Sequence, residues 1–153
     1  MANTYAQLYA QIIFSVQGNE NLIKESFLDE LEKVICGIVT NHKSKAYAIY
    51  CNPDHTHILV GIHPSLSVSK LTEQIKSGSS KWLNKKNFIA GKFSWQNGYG
   101  AFTYSRLLVD RIVKYIMGQP EHHKRQSFKE EYLSILKNFD VEYDDKYLFE
   151  WYR

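Results

Sequence analysis

The sequence predicts an α+β fold in which an antiparallel sheet carries helices on one face. Every second residue is apolar over 8–16, and the same period returns over 55–62, as in strands with one buried face. Over 22–40 apolar residues recur every three or four positions, the period of an amphipathic helix. The full order of elements, β-α-β-β-α-β, is that of the ferredoxin-like split β-α-β sandwich, also found in RNA-recognition domains. This arrangement leaves the second face of the sheet free for a ligand.

The first half of the chain supplies one helix and three strands. The helix over 22–40 follows the first strand directly. Its apolar positions are Phe27, Leu31, Val34 or Ile35, and Ile38. Strands over 45–50 and 55–62 are joined by Asn52-Pro53-Asp54, whose residue types favour a turn, so these two strands are predicted to form a hairpin.

The second half supplies the remaining strand and more helices. Ser67 or Ser69 can cap a second helix, although Gly78 weakens its middle. The apolar positions of this helix are Val68, Leu71, Ile75 and Trp82. Extended segments at Phe93–Trp95 and Ala101–Tyr104 are separated by turn residues, Asn97-Gly98-Tyr99-Gly100, and predict a turn and a last strand.

Two C-terminal helices complete the predicted fold. A tyrosine-bearing helix is expected from about Leu107 to Gly118, and Pro120 should stop or kink it. Ser127 and Glu130 match a capping box, so a last short helix is expected to run from there through Leu136.

Length and composition indicate an ordinary globular protein. We interpret residues 1–153 as a single domain, because 153 residues suffice for one core and not comfortably for two. A hydrophobic share of 44% without low-complexity stretches argues against disorder. Neither a secretion signal nor an apolar run of ~18 residues is visible, so a soluble, cytoplasmic protein is expected. Cys36 and Cys51 form no Cys-x-x-Cys pair and are expected to be buried free thiols.

Positive charge is concentrated in the middle of the chain. Residues 63–104 hold six Lys or Arg and one acidic residue, and residues 105–126 hold five and two, whereas both ends are net acidic. A basic middle suits a phosphate-binding face, and it also suits an ordinary solvated surface. Charge alone therefore leaves nucleic-acid binding as one of two interpretations.

Two histidines stand at the start of the third strand. Because strand side chains alternate, His55 and His57 project from one face, while Thr56 and Ile58 project from the other, under the helices. Two neutral imidazoles on one face can share a divalent ion, although a His-x-His pair is more often two surface or hydrogen-bonded histidines. Asp54 precedes them and either caps the turn or orients His55 through a hydrogen bond.

The tyrosine-bearing helix presents a phenol and a carboxamide one turn apart, at Tyr115 and Gln119. A phenol with a pKa of ~10 becomes an effective nucleophile when a cation or a base favours the phenolate. Helical position alone does not select Tyr115, since the chain has eleven tyrosines. Pro120 disfavours helical geometry at Gln119, which leaves open whether this carboxamide shares the face of Tyr115.

Four stretches carry a more specific pattern. They are Asn52-Pro53-Asp54-His55-Thr56-His57-Ile58-Leu59-Val60, Ser79-Ser80-Lys81-Trp82, Trp95-Gln96-Asn97-Gly98-Tyr99-Gly100-Ala101-Phe102, and Tyr115-Ile116-Met117-Gly118-Gln119-Pro120-Glu121-His122-His123. Together, and in this order, they resemble the small single-tyrosine transposases of bacterial and archaeal insertion sequences. That family belongs to the endonucleases named for a His-hydrophobic-His motif. The motif has Thr56 where an apolar residue is usual, and a β-branched threonine suits a strand.

The resemblance implies a metal site and a nucleophile. By it, His55, His57 and Gln119 correspond to ligands of Mg²⁺ or Mn²⁺, and Tyr115 to the residue that attacks DNA. Attack would leave a 5′-phosphotyrosine bond and a free 3′-hydroxyl. Because the covalent bond conserves the ester, a 3′-hydroxyl from another DNA end can rejoin strands without ATP. His122-His123 also match the family, although the sequence assigns them no physical role.

The resemblance further implies a homodimer in which Tyr115 acts in trans, and recognition of single-stranded DNA hairpins at the ends of an insertion sequence. Candidate contacts to the DNA backbone are four lysines of the basic middle, Lys81, Lys85, Lys86 and Lys92. Trp95, Tyr99 or Phe102 are available for stacking on bases, although core packing is favoured for Trp95.

Two other functions fit parts of the pattern. The same sandwich builds non-catalytic modules that bind single-stranded nucleic acid, but here the third strand has histidines where an RNA-binding sheet has aromatic residues. A domesticated relative would still nick DNA without mobilising an element. Taken together, the four stretches favour the transposase.

Overall fold

The computed structural model describes residues 3–149 and contains a four-stranded sheet in the order β2-β3-β1-β4. The strands are β1 (Tyr9–Ser15), β2 (Lys45–Cys51), β3 (His55–Gly61) and β4 (Gly100–Tyr104). The helices are α1 (Glu25–Asn41), α2 (Val68–Lys86), α3 (Val109–Met117), α4 (Gln119–His122) and α5 (Phe128–Asn138). All three strand pairings are antiparallel, so the predicted split β-α-β sandwich is confirmed.

The first face of the sheet packs against α1 and α2, as the hydrophobic periods predict. Ile12 and Phe14 on β1 and Ile58 and Val60 on β3 point to this face and join one buried cluster with both helices. The helices contribute Phe27, Leu31, Ile35 and Val39 from α1 and Leu71, Ile75 and Leu83 from α2. Gly78 lies where the two helices approach closely, because a Cβ added there would stand 2.6 Å from Cδ1 of Ile38. The glycine that weakens α2 therefore permits its contact with α1.

The second face of the sheet is covered, and the prediction that it is free for a ligand is wrong. Leu59 on this face packs with Val109 and Ile116 of α3. Ile13, also on this face, packs with Phe128 and Tyr132 of α5. The apolar stripes of α3 and α5 have to be withdrawn from water, and the second face is the large apolar surface that α1 and α2 leave available.

Local signals set most of the element ends. Ser67 caps α2 by accepting a hydrogen bond from the Lys70 backbone amide, and Ser127 and Glu130 form the expected capping box of α5. Helix α1 begins later than predicted because the Ile23 amide donates to the Pro53 carbonyl and so lies outside the helix. The expected extended segment at 93–95 is reduced to one bridge, between Trp95 and Val16.

The two cysteines differ in environment. Cys51 is buried and free, as expected. Cys36 is free but exposed, so the expectation that both are buried is wrong: the buried positions of α1 recur every four residues from Phe27 to Val39 and leave Cys36 on the solvent side. Within residues 3–149, none of the helices is both long enough and apolar enough to cross a bilayer.

Candidate active site

His55 and His57 lie on β3, a central strand, and both side chains belong to the second face. Strand alternation predicts this shared orientation. Their ring centroids are 5.1 Å apart, and neither side chain is exposed. Phe128 of α5 stacks on His55 with centroids 3.8 Å apart. The two imidazoles therefore form the floor of a covered site between the sheet and the C-terminal helices.

Hydrogen bonds at the outer nitrogens orient both rings. The His55 Nδ1–H donates to Oδ1 of Asp54 at 2.6 Å, which turns Nε2 of His55 toward the site. Nε2 of Gln11 lies 2.8 Å from Nδ1 of His57, so the Nε2 of that ring also faces the site. Asp54 thus orients His55, the second of the two roles considered for it. A carboxylate that fixes a histidine tautomer is a recurrent feature of metal-binding histidines.

Gln119 reaches the site despite the proline that follows it. Helix α3 ends before Gly118, and the chain starts a new short helix, α4, at Gln119. Pro120 falls in the first turn of α4, where a missing N–H removes no helical hydrogen bond. The side chain of Gln119 is fully buried, with Oε1 3.4 Å from Nε2 of His55. The break at Gly118 therefore brings the carboxamide to the histidines.

Tyr115 lies on the last turn of α3 and points its phenol into the same site. Its ring meets that of His57 edge to face, with centroids 5.9 Å apart, and its hydroxyl donates a hydrogen bond to Glu131. Burial, and then the nearby Glu131 carboxylate, raise the pKa of Tyr115 above its ordinary value. The phenol is therefore protonated at neutral pH, and its proton has a defined acceptor.

Glu131 stands at the centre of the site, and the sequence-based predictions missed it. One carboxylate oxygen, Oε1, lies 3.0 Å from Nε2 of His57 and 3.3 Å from Nε2 of His55. The other, Oε2, accepts from Nε2 of Gln119 at 2.6 Å and from the hydroxyl of Tyr115. Glu131, only 2% exposed, thus contacts the predicted nucleophile and all three predicted metal ligands, which are Tyr115, His55, His57 and Gln119.

A sequence signal for Glu131 does exist. Phe128, Tyr132 and Leu136 define the buried stripe of α5, and position 131 falls on the same stripe because it is three residues after 128. A carboxylate on the apolar stripe of a helix requires a buried partner. Of the adjacent acidic residues Glu130 and Glu131, the capping motif identifies Glu130, whereas Glu131 is the one that belongs to the site.

The charges in the site are coupled. Burial lowers the pKa of His57 below its ordinary value. Burial also acts to lower the pKa of His55, but the hydrogen bonds with Asp54 and Glu131 outweigh it, so that pKa is raised. For Glu131, burial acts to raise the pKa, and the three histidines around it, led by His57, hold it well below its usual range. The site thus keeps an anionic carboxylate beside a readily protonated His55.

The histidine pair at 122–123 acquires a structural place. Nε2 of His123 lies 2.9 Å from Oε1 of Gln119 and 3.1 Å from Oε1 of Glu131. The ring of His122 packs at a tilt on Tyr115, with centroids 4.8 Å apart. His123 therefore borders the polar side of the site, and His122 supports the phenol.

The donor atoms gathered here suit a divalent metal ion. Nitrogen atoms of His55 and His57 and a carboxylate oxygen of Glu131 lie within 4.8 Å of one another, and all three residues are buried. Imidazole nitrogens combined with carboxylate and amide oxygens are ligands that Mn²⁺ accepts, and the oxygens suit Mg²⁺. Among residues 3–149, the groups in contact with the Glu131 carboxylate are histidine rings, the phenol of Tyr115 and the amide of Gln119.

Comparison with known protein families decides the identity of the chain. The family model described as "Transposase IS200 like" matches residues 4–119, most of the chain. The chain belongs to the IS200-like transposase family. The matched region runs from before β1 to Gln119 and so includes the two histidines and Tyr115, whereas Glu131 lies beyond its end.

Solved structures resemble this transposase in fold. One is a protein from Deinococcus radiodurans R1 described as a transposase, with a TM-score of 0.59 and 20% identity over 78% of this chain and 95% of the other. Another is a REP-associated tyrosine transposase bound to a REP hairpin, with a TM-score of 0.57 and 13% identity over 80% of this chain and 73% of the other. Among curated proteins, none matches this sequence significantly.

The other predicted site residues of the transposase lie apart from the histidines. Lys81, Lys85 and Lys86 are exposed near the end of α2, a helix of the first face, and Lys92 is exposed in the loop that follows. Among the residues considered for stacking, Trp95 and Phe102 are buried in hydrophobic clusters, and Tyr99 is 38% exposed.

Proposed function

We propose that this transposase cleaves and rejoins single-stranded DNA at the ends of an insertion sequence through a 5′-phosphotyrosine intermediate. The observation that carries the proposal is the convergence of Tyr115, His55, His57 and Gln119 on the single carboxylate of Glu131. These side chains come from three separate parts of the chain. A phenol, two imidazoles and an amide oxygen in one covered site provide a nucleophile and the ligands of a divalent ion.

The proposed ligands of the ion, Mg²⁺ or Mn²⁺, are Nε2 of His55, Nε2 of His57 and Oε1 of Gln119. Two features of the chain fit that assignment: Asp54 fixes the His55 tautomer that leaves Nε2 free of a proton, and the ligand side chains are fully buried. When bound, such an ion neutralises charge that develops on the scissile phosphate.

The chain's own groups would carry the covalent step. The Tyr115 oxygen forms a bond to phosphorus while the bond from phosphorus to the 3′-oxygen breaks, and that oxygen leaves as a 3′-hydroxyl after taking up a proton. Glu131, the hydrogen-bond acceptor of the phenol, is in position to receive the phenolic proton. In rejoining, a 3′-hydroxyl attacks the same phosphorus, the bond to Tyr115 breaks, and the phenol regains a proton.

We propose hairpin-forming single-stranded DNA as the substrate. The REP-associated relative is bound to a REP hairpin, and this transposase shares its fold. The covered second face also disfavours the alternative of a non-catalytic RNA-recognition sheet, because α3 and α5 occupy the surface on which bases would stack.

Adduct formation tests the proposed chemistry. The protein is incubated with end-labelled single-stranded hairpin DNA and Mn²⁺, and SDS-resistant protein–DNA adducts are separated on a denaturing gel. The wild type should form an adduct, Tyr115→Phe should form none, and Tyr143→Phe, a change at an exposed tyrosine, should match the wild type. Binding without any wild-type adduct contradicts the enzyme, and an undiminished adduct in Tyr115→Phe contradicts the nucleophile. Cleavage without rejoining would indicate a nickase that no longer mobilises an element.

We further propose a homodimer in which Tyr115 acts in trans. Within the single chain Tyr115 lies beside its own His57, so action in trans requires exchange of α3 between two subunits. Mixing Tyr115→Phe with His57→Ala separates the two arrangements, because only action in trans gives one intact site in the mixed dimer. Recovery of the adduct on mixing supports action in trans, and failure to recover it, with dimers verified by light scattering, supports action in cis.

A further inference from the structure

We propose that a cleft beside the active site binds backbone phosphates of the DNA strand that leads to the scissile bond. This inference rests on the proposed function and adds a substrate-binding surface to it. The cleft lies between the turn that joins β2 to β3 and the segment that joins α4 to α5, and its volume is about 490 Å³. That volume falls in the range of roughly 300–1,000 Å³ typical of sites for small molecules, so it can admit part of a nucleotide chain.

The walls of the cleft are continuous with the active site. Asn52, on one wall, donates from Nδ2 to Oε1 of Gln119 at 3.0 Å. His123, on the other wall, has Nε2 2.9 Å from the same oxygen. Phe128, another lining residue, stacks on His55. An occupant of the cleft is therefore separated from the histidines by a single layer of side chains.

The charge of the cleft favours a polyanion. Lys124, Arg125 and Lys129 line it and are exposed, whereas Asp54 is the acidic residue among its described lining residues. The carboxylate of Asp54 is engaged with the adjacent histidine ring. Lys124 pairs with Glu121 on the surface, a contact that contributes little in water. Across residues 3–149, neither Arg125 nor Lys129 takes part in an ion pair, so both can contact phosphate.

The position of the cleft distinguishes it from the lysines of α2. Lys81, Lys85 and Lys86 belong to a helix that packs on the first face, whereas Tyr115 and the histidines lie on the second face. Single-stranded DNA bound by the α2 lysines would have to pass around the β-sheet before reaching the phenol of Tyr115. The cleft lies on the same side as the phenol and requires no such path.

Binding measurements with charge-matched variants test the inference. Fluorescence anisotropy follows labelled single-stranded DNA in EDTA, so that affinity is measured without cleavage, over a series of salt concentrations. The cleft variant is Lys124→Gln/Arg125→Gln/Lys129→Gln. Its matched control, which removes the same charge from exposed lysines given no role in DNA binding, is Lys33→Gln/Lys43→Gln/Lys70→Gln. Circular dichroism verifies that both variants are folded.

Three lost phosphate contacts should lower the slope of log K against log salt by about 2, since each contact on a single strand contributes about 0.7. If the cleft variant and the wild type bind equally at 1 M salt, this difference in slope lowers the affinity of the variant about 100-fold at 0.1 M salt. The control should lose much less. A cleft variant within twofold of wild type, or a control that loses as much, overturns the inference. Failure of the proposed function is a separate result, because the adduct would then be absent from a wild type whose binding still depends on the cleft.

Discussion

Replacing Glu131 by glutamine is the sharpest test of how the site is organised. The carboxylate accepts hydrogen bonds on both oxygens, from Tyr115 and Gln119 on one and from histidines on the other. An amide has only one acceptor oxygen. In Glu131→Gln the NH₂ group therefore faces hydrogen-bond donors, either Tyr115 and Gln119 or the histidines, and the hydrogen bonds on that side are lost. A hydrogen bond to a charged group contributes about 1.5–3 kcal/mol, and breaking a buried ion pair costs about 3–5 kcal/mol. We therefore expect a loss of about 3 kcal/mol in the free energy of unfolding.

In a domain of this size 1 kcal/mol corresponds to about 2–4 °C, so Tm in EDTA should fall by roughly 6–12 °C. Differential scanning fluorimetry measures this shift. Glu142→Gln, which removes an exposed carboxylate, is the control and should leave Tm unchanged. Added Mn²⁺ should stabilise the wild type more than Glu131→Gln, because a carboxylate oxygen of Glu131 lies within 4.8 Å of the proposed ligand atoms of His55 and His57 and its negative charge attracts the ion. If Glu131→Gln has the same Tm as the wild type in EDTA, or if Mn²⁺ raises the Tm of both proteins equally, the reasoning is refuted.

Two further predictions concern metal binding and helix packing. Because the pKa of His55 is raised, this ring is more often protonated than an ordinary histidine, so Mn²⁺ must displace a proton and its affinity should fall as pH decreases below neutrality. Calorimetry in buffers of different ionisation enthalpy measures that proton release, and an affinity that does not change between pH 8 and pH 6 would contradict it. Gly78→Ala should stabilise the protein less than helix propensity alone predicts, or destabilise it slightly, because the added Cβ displaces the terminal methyl of Ile38 at the α1–α2 contact. Gly37→Ala, at a helical position with nothing within 4 Å, should instead stabilise it by up to about 1 kcal/mol, and urea denaturation that ranks the two variants in the opposite order would exclude this explanation.

Much of the site's framework was predictable because it depends on short-range geometry. Strand alternation places His55 and His57 on one face regardless of what covers it, and the hydrophobic periods define α1 and α3. The position of the Gln119 side chain could not be predicted from local patterns. Pro120 signals a break, but only the packed chain determines that the new helix turns the carboxamide inward.

Glu131 shows where local patterns stop being sufficient. It lies 74 residues from His57 in sequence, and their 3.0 Å contact depends on how α5 docks on the second face. That docking is driven by burial of Phe128 and Tyr132. Their apolar stripe predicts that α5 packs against an apolar surface of the protein, but it does not specify which surface.

The sequence by itself determined the order of the elements, the shared face of the two histidines and the family to which the chain belongs. Periodicity and short motifs are local properties, so they survive without knowledge of the packing. Only the tertiary structure decided that the second face is closed, that Asp54 orients His55, and that Glu131 joins the phenol to the histidines. These are contacts between side chains whose partners are selected by the docking of helices, and no local pattern specifies that docking.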